Sequence, residues 1–166
     1  DCFIAYCTDC HPRYCLRPIG TPEYKVETFV QPVALADLDE LNESGLYKLL
    51  PNDALNTIGS SMQSYDIRLK FFKANPQYLA PLQVPGESFE RTFEKFNEKA
   101  FSLQKIDPKK SSSLSEAVSL SLTYPQGVDG VGILKDFTDF VVKGEKEKVA
   151  SDLKRLIANR IENVEK

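Results

Sequence analysis

The sequence predicts a mainly α-helical protein: a single-domain helical bundle of five or six helices, with a disulfide-knotted N-terminal segment and at most a minor β element. Two observations lead to this fold class. Apolar residues recur every three or four positions along several stretches of the 166-residue chain, as on the buried face of a helix. All four cysteines lie within the first fifteen residues. We therefore divide one folding unit into a disulfide-rich segment, residues 1–20, and a helical domain, residues 21–166.

The first part of the helical domain is expected to contain a strand and two helices. Residues 24–30 alternate in part and predict a short strand. Leucines at helical spacing predict a short helix over residues 34–42. A longer helix should begin with Asn52 or Asp53 as its cap and end at Asn75, because a residue before proline disfavours the α conformation. Its expected apolar stripe consists of Leu55, Ile58, Met62, Tyr65, Leu69 and Phe72.

Residues 87–104 predict the most regular helix of the chain. Apolar residues step along one face by four, three, four and three positions, while charged residues cover the other face. The apolar stripe consists of Phe89, Phe93, Phe96, Ala100 and Leu103.

Residues 112–124 support two interpretations. Ser113 with Glu116 three positions later resembles a capping box, which favours a helix. Apolar residues alternate with serines from Val118 to Leu122, which favours a strand. We expect a helix start that frays into extended chain before the next proline.

The last part of the chain predicts two further helices. Asp129, in a glycine-rich turn, is expected to cap the first of them, and residues 133–142 follow in that helix. A final helix of about twenty residues follows Gly144. Its expected buried face consists of Val149, Leu153, Leu156, Ile157, Ile161 and Val164.

Composition and charge exclude two functional classes. Hydrophobic residues make up 42% and charged residues 27% of the chain, which is typical of a globular domain. The net charge is −3, and lysines alternate with glutamates near the C-terminus. We therefore expect no nucleic-acid binding, which needs clustered cations. The longest apolar run is six residues, so we expect no membrane span.

Cysteine usage predicts a secreted, extracellular protein. Four cysteines, an even number, fit an oxidising compartment better than the cytosol. The chain starts at Asp1, as after removal of a signal peptide. Asn42 lies in an Asn-Glu-Ser sequon, which makes it a candidate glycosylation site.

The N-terminal cysteines admit three chemical roles. Two disulfides among Cys2, Cys7, Cys10 and Cys15 are the leading prediction, and sequence leaves all three pairings open. Residues 7–11 also match C-x-x-C-H, the attachment signal for c-type haem, in which two thiols bind the vinyl groups and the histidine binds iron. The same thiols could hold zinc. We predict the disulfides, with no metal and no cofactor.

The inventory of reactive residues argues against an enzyme. His11, the only histidine, is adjacent to a cysteine of the predicted disulfides, which argues against a Ser-His-Asp site, and a single histidine rules out an H-E-x-x-H site. The chain has no tryptophan that could stack against a sugar beside a carboxylate pair. We therefore predict no catalytic residues.

The leading functional hypothesis is a secreted, non-enzymatic interaction protein that binds another protein, such as a small extracellular effector, an inhibitor or a host-interaction factor. The alternative is a carrier of a lipid or another small apolar ligand in a helical cavity lined by Phe89, Phe93 and Phe96. A c-type haem protein is the third hypothesis. The surface residues proposed for the leading hypothesis are Tyr6, His11, Arg13 and Tyr14.

Overall fold

The computed structural model describes residues 22–32, 38, 42–43, 45, 48–106 and 116–164. The predicted disulfide-rich segment therefore lies outside the described residues, as does most of the helix predicted over residues 34–42. The described part of the chain is mainly helical and contains a small three-stranded antiparallel sheet.

The sheet has the strand order β1-β3-β2. β1 is Glu23–Val30, β2 is Phe101–Ile106 and β3 is Ala117–Pro125. β1 confirms the predicted strand. Both outer strands run antiparallel to β3, whose Leu120 and Leu122 are fully buried. The sheet is larger than the minor β element that we expected, and its central strand belongs to the core.

The described residues include four α-helices: α1, Pro51–Gln63; α2, Tyr65–Ala74; α3, Phe89–Ala100; and α4, Gly130–Val164. Two short 3₁₀ turns, Pro76–Tyr78 and Ala80–Leu82, follow α2. α1, α3 and α4 all contact β3. α1 lies against β3 at Gly59, where a Cβ would make an ordinary van der Waals contact of 3.6 Å with the Val118 side chain.

Phenylalanine rings fill the core between the helices and the sheet. Phe71, Phe72, Phe93 and Phe137 have at most 1% of their surface exposed. The ring centroids of Phe71 and Phe137 are 5.3 Å apart, and those of Phe72 and Phe93 are 5.5 Å apart. Ring pairs at these distances add about 0.5–1.5 kcal/mol each beyond the burial of apolar area.

Residues 117–125 form a strand, so extended chain does precede Pro125 as expected and starts already at Ala117, whereas the helix start expected at Ser113 lies outside the described residues. The alternation decides the outcome because it directs Leu120 and Leu122 into the core and Ser119 and Ser121 to the opposite face. In a helix, the two leucines would point about 200° apart. Only the extended conformation buries both against the same helices.

The helix predicted over residues 87–104 ends at Ala100, and its last four residues belong to β2 instead. Phe101 and Leu103 lie opposite Leu122 and Leu120. Because pairing with β3 provides backbone hydrogen bonds and keeps both side chains against the core, the strand replaces a further helical turn.

The single helix predicted before Asn75 is two helices, which break at Ser64. Ser64 is extended, and its hydroxyl accepts a hydrogen bond from the Ile67 N–H at 3.5 Å, which caps α2. The break also rotates the apolar face. Tyr65 is 43% exposed, whereas Phe71, which was not in the predicted stripe, is buried.

Helix ends were predicted with mixed success. α1 begins before both predicted caps, Asn52 and Asp53, and no side chain caps it, so that prediction is wrong. α2 ends at the predicted Asn75. The predicted cap of the last helix is confirmed, because the Asp129 carboxylate accepts a hydrogen bond from the Gly132 N–H at 2.9 Å.

α4 is one continuous helix and has no break at Gly144. The apolar face of its first half is buried, but Ile157 is 43% and Ile161 is 56% exposed, so their predicted burial is wrong. Length explains the difference. A 35-residue helix is about 52 Å long, whereas a nine-residue strand spans only about 30 Å. The second half of α4 therefore extends past the sheet.

Candidate functional site

Several predicted site residues lie outside the described residues. They are Cys2, Tyr6, Cys7, Cys10, His11, Arg13, Tyr14 and Cys15. The disulfides, the haem site and the N-terminal contact surface therefore stay predictions.

Asn42, the predicted glycosylation site, has both ends of its side-chain amide bonded to Leu49. Its Nδ2 donates to the Leu49 carbonyl at 3.1 Å, and its Oδ1 accepts from the Leu49 N–H at 2.8 Å. A glycan would be attached to this same Nδ2. Glycosylation stays a prediction, at an atom that already serves as a donor within the fold.

The structure separates the three phenylalanines that were predicted to line a cavity. Phe93 is fully buried, with its ring 5.3 Å from that of Tyr65. Phe89 is partly buried and packs against the core. Phe96 is 8% exposed and lines a groove on the surface. The aromatic stripe thus contributes to the packed core and, at Phe96, to an open site.

The groove has a volume of about 340 Å³ and lies between α3 and the C-terminal end of β3. It opens because β2 begins opposite Leu122, so the remaining residues of β3 pair only with β1. We call this site the α3–β3 groove. Its apolar lining consists of Leu82, Phe96, Ala100, Tyr124 and Pro125.

Two glutamates and two lysines line the α3–β3 groove. Glu87 forms ion pairs with Lys95 and with Arg91, the latter at 3.4 Å, and its own side chain is only 10% exposed. Glu23 stands on β1, and Lys99 stands on the last turn of α3. Among the described residues, no ion pair engages either Glu23 or Lys99.

A second surface lies on α4. Leu153 and Leu156 are half-buried, and Ile157 and Ile161 are exposed. At 3.6 residues per turn these four side chains share one side of the helix. We call them the α4 apolar stripe.

Cations lie on both sides of the two exposed isoleucines of the α4 apolar stripe. At 3.6 residues per turn, Lys154 lies about 60° to one side of Ile157 and Arg160 about 60° to the other. Arg155, farther around the helix, pairs with Asp152 at 3.2 Å. The exposed isoleucines therefore lie between two basic side chains.

Two perturbed ionisable groups have structural contacts. The Tyr78 hydroxyl donates to the Asp136 carboxylate at 2.5 Å, and this hydrogen bond raises the pKa of Tyr78 to about 12. Burial lowers the pKa of Arg68, whose Nε donates to the Met62 carbonyl at 2.8 Å. Its guanidinium lies 4.6 Å from the centre of the Phe101 ring. Both groups tie elements of the fold together.

No protein-family profile matches the chain, and no curated protein sequence matches it significantly. In the described part of the chain, no helix is both long enough and apolar enough to cross a membrane. No cluster of three or more metal-ligating side chains occurs in that part either.

Sequence reasoning missed most of both surfaces. It assigned Ile157 and Ile161 to a buried face because periodicity does not reveal whether a neighbour is present. It missed the β3 wall of the groove because residues 112–124 were expected to start as a helix. The alternation from Val118 to Leu122 was the signal that could have located this wall.

Proposed function

We propose that the chain is an extracellular, non-enzymatic interaction protein that binds another protein through the α4 apolar stripe. The observation that carries this proposal is the exposure of Ile157 and Ile161, one turn apart on a helix that extends past the sheet. Adjacent exposed apolar side chains on a helix are suited to the apolar groove of a partner.

The charges beside the stripe specify the chemistry of the partner. Lys154 and Arg160 lie on opposite sides of Ile157, and both are exposed. A complementary partner would present an apolar groove with acidic residues along its rims. Such charges mainly raise the association rate and fix the orientation, whereas burial of the isoleucines supplies affinity.

The expected contribution of the isoleucines can be estimated. Fully burying an isoleucine side chain is worth about 1.5–3 kcal/mol, and roughly half of each side chain is available for burial. Ile157 and Ile161 together should supply about 2 kcal/mol. Their loss would weaken binding by about 30-fold.

The test uses the full chain immobilised and exposed to extracellular fluid, followed by purification of the captured protein and measurement of its Kd. The Ile157→Glu/Ile161→Glu variant should bind at least 30-fold more weakly, because two charges would enter the apolar contact. The matched control, Asn159→Glu/Asn163→Glu, adds the same charges about 160° around α4 from Ile157 and Ile161 respectively and should bind as the unchanged chain does. Equal Kd values for both variants would contradict the proposal.

The carrier of a small apolar ligand stays the second candidate. One observation favours it: Phe96, a residue predicted to line the ligand site, does line the α3–β3 groove. Displacement of a fluorescent fatty acid tests this function, and a chain that displaces none would exclude it. For the third candidate, a Soret absorbance band would reveal haem at Cys7, Cys10 and His11.

A further inference from the structure

The lining of the α3–β3 groove combines apolar side chains with a carboxylate from β1 and an ammonium from the last turn of α3. Phe96 and Ala100 come from α3, and Tyr124 and Pro125 come from the end of β3. Glu23 projects from the strand wall and Lys99 belongs to the helix wall. This arrangement is independent of the α4 apolar stripe, which shares no residue with it.

The charge balance of the lining selects among ligand classes. The charged residues of the groove are Glu23, Glu87, Lys95 and Lys99, so their formal charges cancel. Glu87 and Lys95 already neutralise each other in an ion pair. The Glu23 carboxylate and the Lys99 ammonium remain without an ion pair among the described residues. A ligand that carries only a negative or only a positive charge would satisfy one of them and leave the other unmatched.

The size of the groove restricts the ligand further. A volume of about 340 Å³ lies at the low end of the range for small-molecule sites. The rings of Phe96 and Tyr124 offer contact to one ring or branched aliphatic group, and a volume at this end of the range favours a small ligand over a large one.

We propose that the α3–β3 groove binds a small zwitterion that carries an aromatic or branched aliphatic group, the chemistry of a free apolar amino acid. The ligand's ammonium group faces Glu23, its carboxylate faces Lys99, and its side chain covers Phe96 and Tyr124. This inference goes beyond the proposed function, which concerns α4, and either can fail without the other.

The experiment titrates the full chain with L-phenylalanine while amide ¹H–¹⁵N shifts are recorded. Shifts should concentrate at residues 96–100 and 123–124, with a Kd of the order of millimolar, as expected for a ligand of about a dozen heavy atoms. Two analogues separate the charges: 3-phenylpropionate lacks the ammonium, and 2-phenylethylamine lacks the carboxylate. Each should bind about three- to fivefold more weakly, as for the loss of one partly exposed charge contact.

Substitutions at the two free charges make the test specific. Lys99→Gln should weaken the binding of phenylalanine and 3-phenylpropionate by about three- to fivefold and leave the binding of 2-phenylethylamine unchanged. Glu23→Gln should weaken the binding of phenylalanine and 2-phenylethylamine by the same factor and leave the binding of 3-phenylpropionate unchanged. Lys70→Gln is the matched control, because Lys70 is exposed on α2 and does not line the groove. All three positions are at the surface, so the fold should be unaffected.

Three results would overturn the inference. The first is no shift at the groove up to about 20 mM phenylalanine, well above the expected Kd. The second is equal affinity for the zwitterion and both analogues, which would indicate a simple apolar depression. The third is an unchanged phenylalanine Kd in both Lys99→Gln and Glu23→Gln. The Ile157→Glu/Ile161→Glu variant should bind phenylalanine with the same Kd as the unchanged chain, because it alters only the α4 apolar stripe. Failure of phenylalanine binding and failure of partner binding are therefore distinguishable.

Discussion

Truncating Phe137 should destabilise the protein far more than truncating Ile161, although both are large apolar residues on α4. Phe137 is fully buried, and its ring centroid lies 5.3 Å from that of Phe71 and 5.5 Å from that of Phe101. Replacing a core phenylalanine with alanine costs about 3–5 kcal/mol, because the cavity left behind only partly collapses. The two lost ring contacts place Phe137→Ala in the upper half of that range.

Ile161 should behave differently because 56% of its surface is exposed. Ile→Ala removes three carbons, worth about 0.8 kcal/mol each when fully buried, and less than half of that burial applies here. Alanine also has the better helix propensity by a few tenths of a kcal/mol. The free energy of unfolding should therefore fall by about 0.5 kcal/mol in Ile161→Ala.

Urea unfolding followed by circular dichroism at 222 nm measures both values. With an m-value of about 1.5–2 kcal/mol per molar, the midpoint should drop by about 2–3 M in Phe137→Ala and by about 0.3 M in Ile161→Ala. If Ile161→Ala lost as much stability as Phe137→Ala, the second half of α4 would belong to the core. The α4 apolar stripe could then not be a free binding surface.

Three other predictions concern glycines and a tyrosine. Gly144→Ala should raise the free energy of unfolding by about 1 kcal/mol, because it improves helix propensity and its Cβ meets no atom within 4 Å; an unchanged or lower urea midpoint would contradict this. Gly130→Ala should lower it by several kcal/mol, because the new Cβ would overlap the Tyr124 ring; a stable variant would show that this ring can move. Tyr78 should titrate at about pH 12 by NMR, and Asp136→Asn should bring its pKa back towards 10.0, while Asp139→Asn should leave it unchanged. Because its pKa is raised on folding, the Tyr78 hydrogen bond contributes full stability below pH 10.0 and loses it as the pH rises through about 12, so Asp136→Asn should reduce the stability loss over that interval.

The sequence predicted features that depend on neighbouring residues along the chain. Strand β1 follows from its partial alternation, and the cap by Asp129 follows from a carboxylate at the start of a helix after a turn. The end of α2 at Asn75 follows from the proline after it. Each of these signals acts within a few residues, so a single chain segment contains all the necessary information.

Features that depend on distant neighbours were not predictable in the same way. Phe101 and Leu103 fit a helical stripe, and only pairing with β3 makes them a strand. Ser64 breaks a helix that periodicity alone would continue. The same limit applies to function, because an apolar residue such as Ile161 has the same sequence pattern whether its face is covered or free.

Hydrogen exchange along α4, measured with and without the captured protein partner, shows whether the partner binds the α4 apolar stripe. Partner binding should slow exchange in residues 149–164, while residues 133–141, whose apolar side chains pack in the core, should change little. Protection that appears on another surface, with exchange in residues 149–164 unchanged, would contradict the assignment of the α4 apolar stripe as the binding site.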